Sequence, residues 1–218
     1  TRYWRDRSSD VCSSDLRYCS DGGRNETPDN TVRVSLADDT NPDIAKLHRN
    51  FYTSSSCGVC GKSSIESIKT ICSLPTIATE NNITVDAPVI NSLASIVHQN
   101  QTVFKYTGGI HAAGLFDLNG GLILLREDVG RHNAMDKLVG ASLVSGFLPL
   151  NRHVLFLSGR ASFELIQKAA MAGIRIIAAV GAPSSLAVNT AKEFDITLLG
   201  FVREQRFNVY CGGERIIS

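Results

Sequence analysis

Two cysteines separated by two residues, Cys57 and Cys60, are the side chains of this sequence best suited to covalent chemistry. They lie in a loop of small residues, Thr53–Gly61, with Lys62 beside it and a helical turn predicted over Ser63–Lys69. A nearby cation and a helix N-terminus both lower the pKa of a thiol, and the thiolate is the reactive form. Such a thiolate can attack the outer sulfur of a persulfide and carry that sulfur away.

A Cys-x-x-Cys pair is also typical of zinc sites and of dithiol redox centres. A structural zinc site needs two further ligands, and Cys72, Cys211, His48 and His111 are the available donors, although none of them forms a second close pair. A thioredoxin-like pair lies at a strand-to-helix turn, whereas this pair precedes the α/β region. These arguments favour a reactive cysteine pair over a structural metal site, while a dithiol redox centre and a disulfide loop stay open at this point. We interpret Cys72 and Cys211 as small core or strand residues.

Composition and charge narrow the class of protein. The chain has 218 residues, 43% of them apolar, a net charge of +1 and a pI of about 7.6. A chain of this size can bury a core without disulfide or metal staples. The near-zero charge gives no reason to expect a nucleic-acid or membrane partner, and no apolar run is long enough to cross a bilayer. With no secretory signal visible, we expect a cytoplasmic protein.

The first residues repeat the tripeptide Ser-Ser-Asp, at 8–10 and again at 13–15. The repeat resembles a translated sequencing adapter, and a flexible polar tail is the alternative. We therefore expect residues 1–18 to be an adapter artefact or disordered, the coding sequence to begin within 16–19, and an upstream part of the gene to be missing.

Apolar strands alternate with helices in the second half of the chain, which indicates an α/β domain over residues 86–218 with a parallel sheet covered on both faces. Residues 19–85 are predicted to be the remnant of an N-terminal part, with a strand at Thr31–Ala37, a helix at Asp43–Phe51 and a linker at Pro75–Pro88. The predicted helices of the domain are Val89–Gln99, His111–Asp117, His132–Phe147, Ala161–Ala172 and Ser185–Phe194, and its predicted strands are Leu122–Arg126, His153–Leu157, Ile174–Val180, Ile196–Phe201 and Phe207–Cys211.

Three loops of this domain are rich in Gly, Ser and Arg, namely Asp128–Asn133, Ser158–Ser162 and Gly181–Ser185. Each follows a predicted strand and precedes a predicted helix, so each offers backbone amides at a helix N-terminus, where anions bind. Ligands of open parallel sheets bind outside the carboxyl ends of the strands. We therefore expect the loops to converge on a phosphate-bearing ligand, with Arg131 and Arg160 adding contacts. The alternative is that these residues only cap helices and make turns.

Four segments together resemble the formate dehydrogenase accessory sulfurtransferases. The first runs from Asn50 to Lys62 and includes the cysteine pair, and the others are Thr107–Ala113, Arg126–Lys137 and Ser158–Ser162. The resemblance covers the chain from about Thr31 to its C-terminus. It implies an α/β fold, a three-layer sandwich resembling the cytidine deaminase fold, with a β-rich N-terminal part that is truncated here.

The resemblance also implies a function. Proteins of this family accept sulfur from a cysteine desulfurase and pass it to the molybdenum bis(molybdopterin guanine dinucleotide) cofactor of formate dehydrogenase. Cys57 matches the cysteine that carries the persulfide, and Cys60 its companion. The expected partners are a cysteine desulfurase and formate dehydrogenase, and the chain is compatible with a homodimer. The expected contacts of the cofactor are Phe201, Val202, Arg203, Glu204, Gln205 and Arg206, together with Arg131, His132, Ser158, Gly159 and Arg160.

Two other functions are open to the sequence. A zinc-dependent deaminase would need a His-x-Glu element, but His111 is followed by Ala112 and Ala113, so the proton shuttle is missing. A chaperone that only holds the cofactor would keep the Gly- and Arg-rich loops without needing Cys57.

Overall fold

The computed structural model describes residues 83–218 and, as backbone strands, two segments of the N-terminal part. The chain divides into two compact units, Thr1–Tyr52 and Thr53–Ser218. The cysteine pair, the other cysteines before residue 83, and the helices expected at Asp43–Phe51 and Ser63–Lys69 lie outside the described residues.

In the first unit, strand β1 (Ser14–Tyr18) pairs antiparallel with strand β2 (Val32–Leu36), with Leu16 opposite Val34. β2 confirms the strand expected at Thr31–Ala37. β1 occupies the last five residues of the segment attributed to an adapter, and the origin of residues 1–18 stays a prediction.

The described part of the second unit alternates strands and helices. Its elements, in chain order, are β3 (Val85–Asp86), α1 (Ala87–Asn100), α2 (Phe104–Thr107), β4 (His111–Phe116), β5 (Leu122–Asp128), α3 (Arg131–Val144), β6 (Val154–Leu157), α4 (Phe163–Met171), β7 (Ile176–Ala179), α5 (Ser185–Glu193), β8 (Thr197–Arg203), β9 (Arg206–Cys211), a 3₁₀ turn (Gly213–Arg215) and β10 (Ile216–Ile217).

Six of these strands form one sheet in the order β5-β4-β6-β7-β8-β9. β6, β7 and β8 pair in parallel, as their continuous apolar sequences predicted. The sheet as a whole is nevertheless mixed, because β4 pairs antiparallel with both β5 and β6, and β9 pairs antiparallel with β8. The prediction of a wholly parallel sheet is therefore wrong. The four strands β5 to β8 still point the same way, so their carboxyl ends share one edge.

Helices cover both faces of this sheet. One face packs against α3, α4 and α5 through a core that includes Leu138, Leu165 and Ala187. The other packs against α1 through Ile90 and Leu93, which meet Phe156 and other sheet residues. The α/β class is confirmed, while the likeness to the cytidine deaminase fold stays a prediction. Among the described residues, no helix is long and apolar enough to span a membrane.

The helix expected at His111–Asp117 is wrong, because this segment is strand β4. Its alanines and leucine favour a helix, but the segment lies between β5 and β6 and pairs with both. From Ala112 to Phe116 every residue is buried. Cross-strand pairing and burial on both faces therefore outweigh local helix propensity.

An irregular linker was expected at Pro75–Pro88, but the part of it that the structure describes contains strand β3 and the start of α1. β3 pairs in parallel with β10, with Val85 opposite Ile216. Pro88 lies in the first turn of α1, where its missing N–H costs nothing.

Candidate functional site

The predicted convergence of the three loops is confirmed by the sheet. β5, β6, β7 and β8 all end at the carboxyl edge, and the antiparallel strands β4 and β9 begin there. His111, the first residue of β4, pairs with Asp128, the last residue of β5. The three Gly- and Arg-rich loops, His111 and the β8–β9 turn therefore share one edge.

The central loop, Ser158–Ser162, is tied to β4. The Ser158 hydroxyl accepts a hydrogen bond from the Ala112 N–H at 2.7 Å, and the Ser158 N–H donates to the Ala112 carbonyl at 3.0 Å. A side chain at Gly159 would place its Cβ 3.1 Å from Nδ1 of His111. A side chain at this position would therefore push the imidazole away by a few tenths of an ångström. Ser158 and Gly159 thus position the loop backbone and His111.

The third loop, Gly181–Ser185, lies directly against the central one. The Gly181 N–H donates to the Gly159 carbonyl at 3.0 Å, and the Ser184 N–H donates to the Ala161 carbonyl at 3.1 Å. A Cβ at Gly181 would lie only 2.9 Å from the backbone of Arg160. The two loops therefore form one continuous backbone surface.

The first loop is held by Asp128. Its carboxylate accepts hydrogen bonds from the Gly130 N–H at 2.9 Å and the Asn133 amide at 3.1 Å, and lies 2.5 Å from the Lys137 ammonium. The hydrogen bond from Lys137 and then that from Gly130 lower the pKa of Asp128 to about 2. Asp128 is thus ionised at neutral pH and fully engaged in shaping the turn.

His132 joins the first loop to the central one. Its Nε2 lies 3.1 Å from the Ser162 hydroxyl and 3.8 Å from a carboxylate oxygen of Glu164. Burial, followed by the charge of Arg131, lowers the pKa of His132, although Glu164 opposes the change. The imidazole is therefore mainly neutral at pH 7, and its tautomer decides whether Nε2 donates a hydrogen bond to the Ser162 hydroxyl or accepts one from it.

Three helices of nine or more residues begin at this edge, which gives it a positive potential. At α5, the Ser184 hydroxyl accepts the Ala187 N–H at 3.1 Å. At α3 and α4 the N-cap residues Gly130 and Ser162 make no side-chain capping bond. The first amides of these two helices therefore receive no side-chain cap from their own N-cap residues.

The charged side chains at this edge differ in whether they have hydrogen-bond or ion-pair partners. The Arg131 Nε is buried without a partner, and within residues 83–218 no hydrogen bond or ion pair is seen to the side chain of Arg160 or Arg206. The Glu127 carboxylate, in contrast, accepts the Val103 N–H at 2.9 Å and the Phe104 N–H at 3.0 Å. Arginine charge at the edge is therefore available, which favours an anionic ligand.

Glu127 has a structural role, because its carboxylate is occupied by hydrogen bonds from a neighbouring segment of the chain. Burial raises its pKa, but the hydrogen bonds from Val103 and Phe104, with smaller ones from Gln101 and Thr102, outweigh burial and lower the pKa below its ordinary value. The carboxylate holds the segment that leads into α2 against the end of β5.

The β8–β9 hairpin carries the stretch Phe201–Arg206 and adjoins the third loop. The Phe201 N–H donates to the Gly181 carbonyl at 3.4 Å, and the Arg203 guanidinium donates to the Val180 carbonyl at 2.9 Å. Phe201 has a φ of 54°, which is uncommon for a residue with a side chain. Val202 is buried on the α1 face, so it supports the hairpin from within the core.

A cleft of about 630 Å³ opens between the hairpin and α1. Its lining residues are Arg203, Glu204, Gln205 and Arg206 on the hairpin and Ala94, Ser95 and His98 on α1. The α1 residues were not among the predicted site residues, because nothing in the sequence of an amphipathic helix shows which loop packs beside it. Ser162 was likewise named only as the end of a loop, although its hydroxyl contacts His132.

Cys211 is the only cysteine within residues 83–218. It ends β9, opposite Leu198, and its thiol donates to the Ile196 carbonyl at 3.2 Å. Burial raises the pKa of the Cys211 thiol, so this residue is a poor nucleophile at neutral pH. Its interpretation as a strand residue is confirmed.

The described residues contain no cluster of three or more His, Cys, Asp or Glu side chains that could hold a metal ion. Cys211 lies at the amino end of β8, whereas His111 lies at the carboxyl edge. These two donors therefore cannot serve one zinc site together, and the expectation that Cys57 and Cys60 bind no metal stays a prediction.

The sequence matches the FdhD/NarQ family over residues 10–217. It is 53% identical over 175 residues to a sulfur carrier protein FdhD from Streptomyces coelicolor, covering 80% of this chain and 61% of that protein. A sulfur carrier protein FdhD from Mycolicibacterium paratuberculosis is 46% identical over 202 residues, covering 92% of this chain and 74% of the relative. The chain thus spans about three fifths of the Streptomyces protein.

A solved structure is also similar. It is a protein from Desulfotalea psychrophila described as a formate dehydrogenase accessory protein, with a TM-score of 0.58 and 34% sequence identity. The match covers 62% of this chain and 60% of the solved one.

Proposed function

Because this chain belongs to the FdhD/NarQ family, we propose that it is a cytoplasmic sulfurtransferase, a sulfur carrier that serves formate dehydrogenase. It takes sulfur from a cysteine desulfurase as a persulfide on Cys57 and passes it to the molybdenum bis(molybdopterin guanine dinucleotide) cofactor. One observation carries the proposal: the Cys57–Cys60 pair lies within the family match. The half-buried Cys211 supports it, since the raised pKa of that thiol makes it unsuited to the task.

The loading step is an exchange between sulfur atoms. The Cys57 thiolate attacks the outer sulfur of the desulfurase persulfide, a new S–S bond forms on Cys57, and the desulfurase cysteine leaves as a thiolate. No net oxidation occurs, because one S–S bond replaces another. Lys62 favours the step by stabilising the Cys57 thiolate.

Delivery of the sulfur as sulfide requires two electrons, and the second cysteine supplies them. The Cys60 thiolate attacks the inner sulfur of the Cys57 persulfide, so a Cys57–Cys60 disulfide forms and the outer sulfur leaves as hydrosulfide, which is transferred to the cofactor. A dithiol reductant must then reduce the disulfide before the next cycle. Cys60 thus acts as the resolving thiol.

The carboxyl edge is suited to hold the substrate of this transfer. The guanine dinucleotide cofactor carries diphosphate groups, and the edge offers the unpartnered Arg131 Nε, the exposed Arg160 and two helix N-termini without side-chain caps. Backbone amides and arginines are the groups that recognise phosphates. We therefore assign the phosphates to the central and first loops, and a guanine end to the hairpin Phe201–Arg206.

A cofactor-holding chaperone is the second candidate, favoured by the position of the three Gly- and Arg-rich loops along one edge of the sheet. It would use the same edge and would not need the thiol of Cys57. The two proposals therefore differ in whether the protein itself carries sulfur.

The deciding experiment is intact-protein mass spectrometry of the full chain after incubation with a cysteine desulfurase and cysteine. Cys57→Ala is the test variant, and Cys211→Ala is the matched control. We expect the parent and Cys211→Ala to gain one sulfur atom, which a reductant removes, and Cys57→Ala to gain none. A parent that is folded by circular dichroism but gains no sulfur would favour the chaperone, as would formate dehydrogenase activation by Cys57→Ala.

A further inference from the structure

The sulfur-delivery step needs a proton donor that the two cysteines do not supply. A persulfide is more acidic than a thiol, so the outer sulfur on Cys57 carries a negative charge at neutral pH. Without a proton on that sulfur, the attack by Cys60 would have to expel doubly charged sulfide, which is far more basic than a thiolate and therefore a very poor leaving group. A proton placed on the outer sulfur lets it leave as hydrosulfide, so an acid at the delivery site accelerates the step.

His111 lies at the centre of the carboxyl edge. It is the first residue of β4, and β4 lies between β5 and β6 in the sheet. The first loop follows β5 and the central loop follows β6, so His111 lies between the two loops to which the proposed function assigns the cofactor phosphates. A ligand that contacts both loops must therefore extend across the position of His111.

The half-buried imidazole of His111 packs against the central loop. Its Nδ1 and Cε1 lie 3.1 Å and 3.2 Å from the position of a Cβ at Gly159, and its other ring atoms are further than 4 Å from that position. Nε2 is therefore turned away from the glycine. Within residues 83–218 no hydrogen bond or ion pair to the ring is seen, so Nε2 is available to a substrate.

The carboxylates and cations next to His111 are unsuited to donate a proton. Asp128, opposite His111 in the strand register, has a pKa of about 2. The pKa of Glu127 is also below its ordinary value, because burial, which raises it, is outweighed by backbone hydrogen bonds. Both groups are therefore ionised at neutral pH. The Lys137 ammonium is paired with the Asp128 carboxylate, and the Arg160 guanidinium keeps its protons at any working pH.

His132, the imidazole of the neighbouring first loop, is already occupied. Its Nε2 lies 3.1 Å from the Ser162 hydroxyl and 3.8 Å from a Glu164 carboxylate oxygen. Burial, followed by the charge of Arg131, lowers the pKa of His132, so little of its protonated form is present at neutral pH. His111 therefore combines a central position with an unoccupied ring nitrogen.

We propose that His111 is the general acid of sulfur delivery, and that its protonated imidazole donates the Nε2 proton to the outer sulfur of the Cys57 persulfide. The Cys60 thiolate attacks the inner sulfur, the S–S bond of the persulfide breaks, and the outer sulfur leaves as hydrosulfide. The cysteine pair is oxidised to a disulfide, the outer sulfur is reduced by the same two electrons, and the imidazole ends neutral. This inference rests on the proposed function, because it supplies the acid for the proposed delivery step.

The test separates loading of the sulfur from its delivery. The full chain and its variants are loaded by a cysteine desulfurase, purified, and mixed with formate dehydrogenase that holds its sulfur-free cofactor. Intact-protein mass spectrometry then follows the loss of the sulfur from the chain over time. We expect His111→Gln to load as the parent does and to lose its sulfur about a hundredfold more slowly, which is the lower end of what a general acid contributes.

Rescue by a small molecule distinguishes an acid from a structural side chain. In His111→Ala, imidazole added to the buffer should raise the delivery rate about tenfold or more. Pyrazole has a ring of the same size but is far less basic, so it should not raise the rate. His153→Gln is the matched control, because His153 is another half-buried histidine and lies at the opposite, amino end of β6. This variant should load and deliver sulfur as the parent does.

The inference is wrong if His111→Gln delivers sulfur at the rate of the parent, or if imidazole raises the rate of His111→Ala no more than pyrazole does. Slow loading of His111→Gln would also contradict it, because His111 would then act before delivery. A parent that gains no sulfur on Cys57 would overturn the proposed function and this inference with it. Normal loading with unchanged delivery in His111→Gln would overturn this inference alone.

Discussion

Replacing Gly181 by alanine tests whether the central and third loops form one surface. The added Cβ would lie 2.9 Å from both Cα and the backbone nitrogen of Arg160, and 2.8 Å from its Cγ. Two of these three atoms belong to the backbone, so a change of rotamer cannot relieve the contact. The loops must separate, which lengthens the 3.0 Å hydrogen bond from the Gly181 N–H to the Gly159 carbonyl.

The expected cost follows from the overlap. Carbon atoms prefer separations of about 3.5 to 4.0 Å, so the new methyl group is too close by roughly 0.6 to 1.1 Å. Overpacking of this kind costs about 1 to 3 kcal/mol, and the backbone contacts place Gly181→Ala toward the upper value. The affinity for GDP, the nucleotide part of the proposed cofactor, should also fall, because the hairpin residue Phe201 donates to the Gly181 carbonyl.

Gly140→Ala is the matched control, since Gly140 lies within α3 and a Cβ there would meet nothing within 4 Å. Alanine in the middle of a helix is more stable than glycine by about 0.5 to 1 kcal/mol, so the same substitution should stabilise the protein at this position. Urea titration measures both free energies of unfolding. Equal stability of the Gly181→Ala variant and the parent, with unchanged GDP affinity, would refute the contact between the loops.

Two further predictions concern charge at the same edge. The pKa of His132 is lowered in the folded state, so its contribution to stability is complete above the ordinary value of 6.5 and is lost as the pH falls below 6.5 toward the lowered folded value. His132→Gln should therefore lose less unfolding free energy than the parent between pH 7.5 and pH 5.5. Part of the loss that remains is due to His153, whose pKa is also lowered. If the variant loses as much unfolding free energy as the parent over this pH range, the assignment to His132 is contradicted. Arg160→Ala should weaken GDP binding about tenfold while changing the free energy of unfolding by less than about 0.5 kcal/mol, because the guanidinium is exposed. A large loss of stability in that variant would show that Arg160 has a structural role instead.

Much of the described part of the second unit could be predicted from its periodicity. The strands β6 and β7 are continuous apolar runs, and α5 begins one residue after its capping serine, Ser184. These elements are predictable because local propensity and tertiary packing favour the same structure in each of them. The positions of the three loops followed from these elements, since parallel strands deliver their ends to one edge.

Strand β4 and the cleft could not be predicted in the same way. His111–Phe116 is composed of residues that favour helices, and only its two neighbours in the sheet make it a strand. His98 lies about a hundred residues from Glu204 in the sequence, and their approach depends on α1 crossing one face of the sheet. Contacts of this kind arise from tertiary packing, which no local pattern encodes.

The pairing of β3 with β10 determines where the described body could be circularly permuted. This pair brings the beginning and the end of the described body side by side, and Gly212 anchors it against Thr197 at the amino end of β8. The junction lies at the side of the sheet away from the loops of the site. A circularly permuted body, joined after β10 to β3 by a short linker and opened in the turn after α3, keeps every loop of the carboxyl edge uncut. The geometry of the binding edge therefore does not depend on the order in which these strands and helices follow one another in the chain.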